Sequence, residues 1–186
     1  MSQTNGVTPI LVGCDHRSKA TWAMAVNTKG PIESVVRWFT GKIDQAGCRG
    51  VKVVLKFDQE ESIIAVKKAV AIKRQAPTVN IESPVRDSQA NGNAERAVRT
   101  WALQLRTMRH HMDFRMQQKI PIHSPLMTWR VSWAADAICR YRVHANGRTS
   151  HENVTGHKGV QPIAIFGQKV MFKLTTNKST RKKMES

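Results

Sequence analysis

The stretch Val51–Phe57 constrains the fold more than any other part of this sequence. It contains three valines, a leucine and a phenylalanine, and it ends at Asp58. Short runs rich in β-branched and aromatic residues are typical of buried strands. A pattern that mixes apolar and basic residues at helical spacing follows over about residues 60–74. A strand that leads into a helix in this way favours a layered α/β fold.

The segments on either side extend the alternation of strands and helices. Pro9–Cys14 and Ala20–Val26 are apolar runs separated by the polar turn Asp15–Lys19, which predicts a hairpin. After Pro31, apolar residues at helical spacing predict a helix that ends near Gly47. Thr78–Ile81 predicts one more short strand. The hairpin would supply the antiparallel part of a mixed sheet flanked by helices.

Two amphipathic helices are predicted in the second half of the chain. The first spans about residues 93–116, with an apolar stripe at Ala94, Val98, Trp101, Leu105, Met108 and Met112. The second spans about residues 124–143, with Leu126, Trp129, Trp133 and Ala137 on one face, and we expect its tryptophans and Trp101 to lie in the core. Residues 145–159 predict a loop, residues 163–172 a late hairpin or strand, and Lys178–Lys183 a basic end.

The charge points to a polyanionic partner. The chain of 186 residues has 30 Lys and Arg against 13 Asp and Glu, a net charge of +17. Nucleic acid is the first candidate, because neutralising phosphates releases counterions. The three cysteines are far apart, and no apolar run approaches the roughly 20 residues of a membrane span. With no signal-peptide pattern, the sequence predicts a nuclear or cytoplasmic protein that is not secreted and has no membrane partner.

Two acidic residues could carry chemistry. Asp58 follows the valine-rich strand, where it would either cap the next helix or bind a metal ion. Glu95 lies in the first turn of the long helix, and Glu95, Arg99 and Arg106 project within about 40° of one another. Glu95 and Arg99 could form an ordinary surface ion pair. Alternatively, both acids could hold Mg²⁺ beside cationic groups that bind a phosphodiester backbone.

These residues resemble a known family. Asp58, in the sequence Asp58-Gln59-Glu60, is separated by 36 residues from Glu95, which lies in Asn91-Gly92-Asn93-Ala94-Glu95-Arg96. This spacing is similar to the second half of the D,D-(mid-thirties)-E signature. That signature belongs to retroviral and LTR-retrotransposon integrases, whose core is ribonuclease-H-like. The resemblance covers roughly residues 7–175. It implies an integrase core over 7–143, followed by a loop, late strand and basic tail over 144–186.

The resemblance also implies an activity and a site. Integrases transfer element ends into target DNA by phosphoryl transfer, with two Mg²⁺ (or Mn²⁺) ions held by three carboxylates. Asp58 and Glu95 would then be catalytic metal ligands, and Asn91, Arg96, Arg99 and Arg106 would contact nucleic acid. The partners would be element-end and target DNA, together with further copies of the chain. The pattern indicates DNA integration and recombination of the kind found in transposable elements.

The first acid of the signature is missing from the matched segment. In the family it lies on a central strand before the hairpin, so we expect this sequence to begin after that strand. The complete two-metal site is expected only with all three acids, and whether the chain is an enzyme therefore stays open. Asp15 is interpreted as a hairpin-turn residue, with a substitute ligand as the less favoured role.

Three hypotheses about function follow. The first is an integrase core that catalyses DNA strand transfer when complete. The second is a non-catalytic nucleic-acid-binding relic of such a core. The third is an unrelated basic α/β protein in which the two acids merely cap and pair. A basic cluster on the second helix is interpreted as a solvated face rather than a sequence reader; its members are Lys67, Lys68, Lys73 and Arg74.

Overall fold

The computed structural model describes residues 8–82, 92–121, 124–159 and 164–171. The strands are β1 (Ile10–Cys14), β2 (Thr21–Ala25), β3 (Val53–Phe57) and β4 (Thr78–Glu82). The helices are α1 (Glu33–Ile43), α2 (Glu61–Arg74), α3 (Gly92–Met116), α4 (Pro125–Tyr141) and α5 (Ser150–Thr155), and a π-helical turn, Asp44–Cys48, extends α1. None of the helices in the described ranges is long and apolar enough to cross a membrane.

The strands form two small sheets instead of the single mixed sheet predicted. β1 and β2 pair antiparallel, with Val12 opposite Ala23, and β3 and β4 pair parallel, with Leu55 beside Asn80. Both kinds of pairing expected of a mixed sheet are therefore present. Within the described part of the chain, however, no ladder of hydrogen bonds joins the two pairs. Side chains, rather than backbone hydrogen bonds, hold the two sheets in one fold.

Helix α1 supplies the side chains that join the sheets. Phe39 lies at the centre, with its ring centroid 5.4 Å from that of Phe57 on β3 and 6.4 Å from that of Trp22 on β2. The buried residues around it come from the hairpin, α1, β3 and α2: Leu11, Val26, Val35, Val36, Ile43, Leu55, Val66 and Val70. This core makes one hydrophobic unit of two strand pairs that are each too small to be stable alone.

A second core lies between β2, α3 and α4. Its buried residues are Ala23, Trp101, Val131, Ala134, Ala135 and Ile138. The indole N–H of Trp101 donates to the carbonyl oxygen of Val131 at 3.0 Å, so this large ring is both buried and satisfied. The thiol of Cys139 is 3.2 Å from the carbonyl oxygen of Thr21, which ties α4 to β2.

The prediction of the core-facing side of α4 is wrong. Leu126 and Trp129 are exposed, with Trp129 exposed to 73%, and the helix instead buries Arg130, Val131, Ala134, Ala135 and Ile138. Apolar residues occur on both sides of this helix, and the side that carries Ala134 and Ala135 is the one that faces the core. Their small side chains let α4 pack closely on β2, which the side carrying Trp129 does not allow. Trp133 is half-buried, with its ring 5.8 Å from that of Phe166.

The solvated interpretation of the basic cluster on α2 is wrong for two of its four residues. Lys68 and Lys73 are exposed, but Lys67 is only 3% exposed. The guanidinium of Arg74 donates to the carbonyl oxygens of Cys48 and Val51, each at 2.9 Å. Arg74 thus fixes the chain that leads into β3, because it satisfies two backbone acceptors there.

The predicted loop over 145–159 contains α5. The hydroxyl oxygen of Thr149 accepts from the backbone N–H of Glu152 at 3.2 Å, and the carboxylate of Glu152 accepts from the N–H of Thr149 at 2.8 Å. This capping box is visible in the sequence as Thr-x-x-Glu and was the missed signal. Of the late hairpin or strand predicted over 163–172, the structure describes residues 164–171, which contain a turn at Phe166 and Gly167 closed by the hydrogen bond from the N–H of Gln168 to the carbonyl oxygen of Ile165, and no strand.

We expect Gly13→Ala to destabilise the fold. An added Cβ would lie 3.0 Å from Cε2 of Phe39, whose ring is held by Trp22 and Phe57. Overpacking of this kind costs about 1–3 kcal/mol of unfolding free energy, measured by urea denaturation. Gly41→Ala is the matched control, because nothing lies within 4 Å of its added Cβ in α1. Removing this helical glycine should stabilise the protein by about 0.5–1 kcal/mol. Equal changes in unfolding free energy for Gly13→Ala and Gly41→Ala would contradict the packing of Gly13 against Phe39.

The two tryptophans of α3 and α4 should differ sharply in their contribution to stability. Trp101→Ala removes a buried indole and its hydrogen bond, and we expect a loss of about 3–5 kcal/mol. Trp129→Ala removes a side chain that is mostly in solvent, and we expect a change within about 0.5 kcal/mol. Chemical denaturation of both variants measures the difference. A large loss for Trp129→Ala would restore the core face predicted from the sequence.

Candidate active site

Asp58 lies where the predicted site requires it, directly after the last residue of β3. Its side chain is exposed, and one carboxylate oxygen accepts from the backbone N–H of Gln59 at 2.8 Å. Helix α2 begins at Glu61 and its N-cap residue is Glu60. The alternative in which Asp58 caps the next helix is therefore wrong. Asp58 instead presents a carboxylate at the carboxyl end of a strand, where α/β folds place ligands.

Glu95 lies in the first turn of α3 and is exposed. Among the described residues of α3, Glu95 and Arg99 do not form the expected surface ion pair. The ion pair found within this helix joins Arg109 to Asp113. Arg96, Arg99 and Arg106 are exposed on the same helix, and Asn91 lies outside the described residues. The carboxylate of Glu95 thus stands among basic side chains without being neutralised by Arg99.

Asp58 and Glu95 belong to different elements, one following β3 and one on α3. Their carboxylates carry like charges, so only a cation between them would hold them together in the part of the chain that the structure describes. The same residues contain no group of three or more histidine, cysteine, aspartate or glutamate side chains placed to hold a metal ion. The sharing of one ion by these two acids stays a prediction.

Glu60, the acid nearest to Asp58 in the sequence, already has hydrogen-bond partners. The carboxylate of Glu60 accepts from the ammonium group of Lys29 at 2.6 Å and from the hydroxyl of Ser62 at 2.9 Å. These hydrogen bonds, Lys29 first, lower the pKa of Glu60. Glu60 therefore links the chain between β2 and α1 to the start of α2, whereas Asp58 keeps an exposed carboxylate at the strand end.

Asp15 has the turn role favoured from the sequence. Its carboxylate accepts from both the N–H and the hydroxyl of Ser18, at 2.8 and 2.6 Å, and Ser18 is buried. Burial alone would raise the pKa of Asp15, but the hydrogen bonds from Ser18 and Arg17 outweigh it and leave this pKa lowered. The turn uses these oxygens, so the hairpin-turn interpretation is confirmed.

This architecture is that of a known domain. The chain superposes on the crystal structure of the catalytic core domain of BIV integrase (crystal form I) with a TM-score of 0.51, over 79% of this chain and 85% of that one. The fold is integrase-core-like. Sequence identity over this match is 16%, and neither a protein-family model nor a curated protein sequence matches the chain. The likeness therefore rests on the arrangement of strands and helices.

Sequence reasoning missed one basic residue of this integrase-core-like fold. Arg130 was passed over among the many basic residues of the chain, yet it is buried between α3 and α4. Its position one residue before Val131 of the second core was hidden by the wrong choice of the buried side of α4. A helical pattern centred on Ala134 and Ala135 would have revealed it.

The exposed arginines of α3 predict a measurable contribution to DNA binding. Each arginine that neutralises a phosphate releases counterions, so Arg99→Gln and Arg106→Gln should each reduce the slope of log K against log salt by about 0.9. Fluorescence anisotropy with a labelled duplex at several salt concentrations measures this slope. Arg37→Gln is the control, because Arg37 on α1 already pairs with Glu33. If the slope is unchanged in all three variants, the arginines of α3 do not contact phosphates and only form a solvated face.

Proposed function

We propose that this chain is the catalytic-core part of an integrase, which binds DNA and contributes Asp58 and Glu95 to a site for phosphoryl transfer. The observation that carries the proposal is the position of the two acids within an integrase-core-like fold. One directly follows β3 of the parallel pair, and the other lies in the first turn of α3. Both are exposed, so a ligand can reach their carboxylates directly.

The donor chemistry of the two acids fits a divalent cation. Carboxylate oxygens are preferred ligands of Mg²⁺, which usually retains several waters and binds substrate phosphates as well. One carboxylate oxygen of Asp58 accepts a hydrogen bond from a backbone N–H, and its second oxygen is left to bind an ion. When bound, Mg²⁺ would activate the attacking oxygen and stabilise the leaving oxygen of an in-line transfer.

The remaining residues of the proposed site would position DNA. Arg96, Arg99 and Arg106 extend from the turn that carries Glu95 along α3, and their positive charges would hold the phosphodiester backbone beside the acids. Asn91 precedes this helix in the sequence and would also contact the DNA. The strong net charge of +17 would draw the duplex to this surface.

Full two-metal catalysis depends on a third carboxylate. The resemblance to integrases implies that such an acid would lie on a strand beside β3. We propose that multimers carrying a full set of acids join element ends to target DNA. The second candidate function is DNA binding without catalysis. It is favoured by the hydrogen bonds that commit the carboxylate of Asp15 to the hairpin turn.

A strand-transfer assay on labelled element-end DNA with Mg²⁺ or Mn²⁺ tests the proposal. Asp58→Asn and Glu95→Gln should each reduce the rate at least about 100-fold, because a neutral amide cannot replace a metal-binding carboxylate. The matched controls are Asp44→Asn and Glu33→Gln, which alter acids on the π-helical turn and α1. Both controls should retain the wild-type rate.

The same variants separate the two candidate functions. Strand transfer that is lost in Asp58→Asn and Glu95→Gln, but not in the controls, supports the enzyme. A wild type without strand transfer, whose salt-sensitive DNA binding is unchanged in both variants, identifies the non-catalytic alternative. Activity that survives both substitutions would contradict the proposed site.

A further inference from the structure

The side chain of Arg130 is buried at the junction of α3 and α4 without the partners that a guanidinium needs. The residue is only 2% exposed. Its Nε and Nη1 atoms are buried and have no hydrogen-bond partner among the residues that the structure describes. Buried polar groups are almost always hydrogen-bonded, since an unpaired donor loses water and gains nothing in return. Two orphaned donors on one charged side chain therefore indicate a missing acceptor.

The charge of Arg130 is not balanced by its surroundings. Burial lowers the pKa of Arg130, and the nearby positive charge of Arg109 lowers it further, while Asp113 acts in the opposite direction. A guanidinium nevertheless stays protonated in proteins. The site thus holds two guanidinium groups against one carboxylate, and it remains positive.

Asp113 is already engaged by other groups. One carboxylate oxygen accepts from the backbone N–H of Ile120 at 3.1 Å, and the other lies 3.8 Å from Nε of Arg109. Ile120 itself is buried and closes the junction where the chain leaves α3. The carboxylate of Asp113 therefore fixes Arg109 and the turn after α3, and it does not satisfy Nε and Nη1 of Arg130.

We propose that Arg130 and Arg109 form a binding site for a phosphate group at the α3–α4 junction. A guanidinium offers parallel N–H donors that match two oxygens of a phosphate, which is why arginine is favoured in such sites. A phosphate carries more negative charge than a carboxylate and so compensates a site with a net positive charge. This site uses neither Asp58 nor Glu95, and the inference goes beyond the proposed function without resting on it.

Two sources of the phosphate group share this chemistry. One is a free phosphate ion that enters when the junction opens and then becomes part of the folded structure. The other is a phosphate of the nucleic-acid backbone, which a chain of charge +17 would attract.

Thermal unfolding of the full chain, in inorganic phosphate and in chloride at the same ionic strength and pH, tests the site. With a dissociation constant of about 1 mM, 10 mM phosphate should raise the ratio of folded to unfolded protein about tenfold. We expect a melting temperature about 3–6 °C higher than in chloride, because a tenfold change in this ratio corresponds to about 1.4 kcal/mol. Arg130→Met should abolish this difference, and Arg109→Met should reduce it. Arg140→Met, on the same helix, is the matched control and should retain it.

DNA binding then distinguishes the two sources. A salt slope that falls by about 1 in Arg130→Met supports a backbone phosphate. DNA binding that is unchanged, while the phosphate effect on melting is lost, supports a free ion.

Two results would overturn the inference. One is a wild-type protein whose melting temperature is no higher in phosphate than in chloride. The other is an Arg130→Met variant that keeps the full phosphate effect. Should Arg130→Met not fold, Arg130→Lys retains the charge but loses the guanidinium fork, and it must weaken the phosphate effect several-fold. An unchanged effect in that variant would equally overturn the site.

Discussion

The packing of Phe39 between the two strand pairs is the interaction on which the rest of this structure depends. No ladder joins β1–β2 to β3–β4 among the described residues, so their relative position follows from side chains on α1 and α2. Leu55 and Phe57 pack β3 against this core. Asp58 directly follows Phe57, the last residue of β3. The place of the first candidate acid is therefore a consequence of hydrophobic packing.

Most of the elements could be predicted because local patterns determine them. The hairpin, β3, α2, β4, α3 and α4 all lie within a few residues of their predicted bounds. The choice of the buried side of α4 failed because it depends on a tertiary contact, the close approach to β2 that Ala134 and Ala135 allow. The single mixed sheet failed for a similar reason, since strand pairing between distant segments leaves little trace in the sequence.

The candidate site was predictable to the level of its elements. A carboxylate after a valine-rich strand and another in the first turn of a long helix are sequence features, and the structure bears out both positions. The cap role open to Asp58 was settled only by the start of α2 at Glu61. Arg130 shows the opposite case, because its burial follows from the sequence only once the side of α4 that carries Ala134 is known to face the core.

The most direct test of the central claim is crystallography of the full chain grown with Mn²⁺ and a short DNA duplex, using the anomalous signal of the metal. The account predicts an anomalous peak that has the carboxylates of both Asp58 and Glu95 among its ligands. Well-ordered carboxylates that lie too far apart to share one ion would contradict it, whatever the protein binds elsewhere.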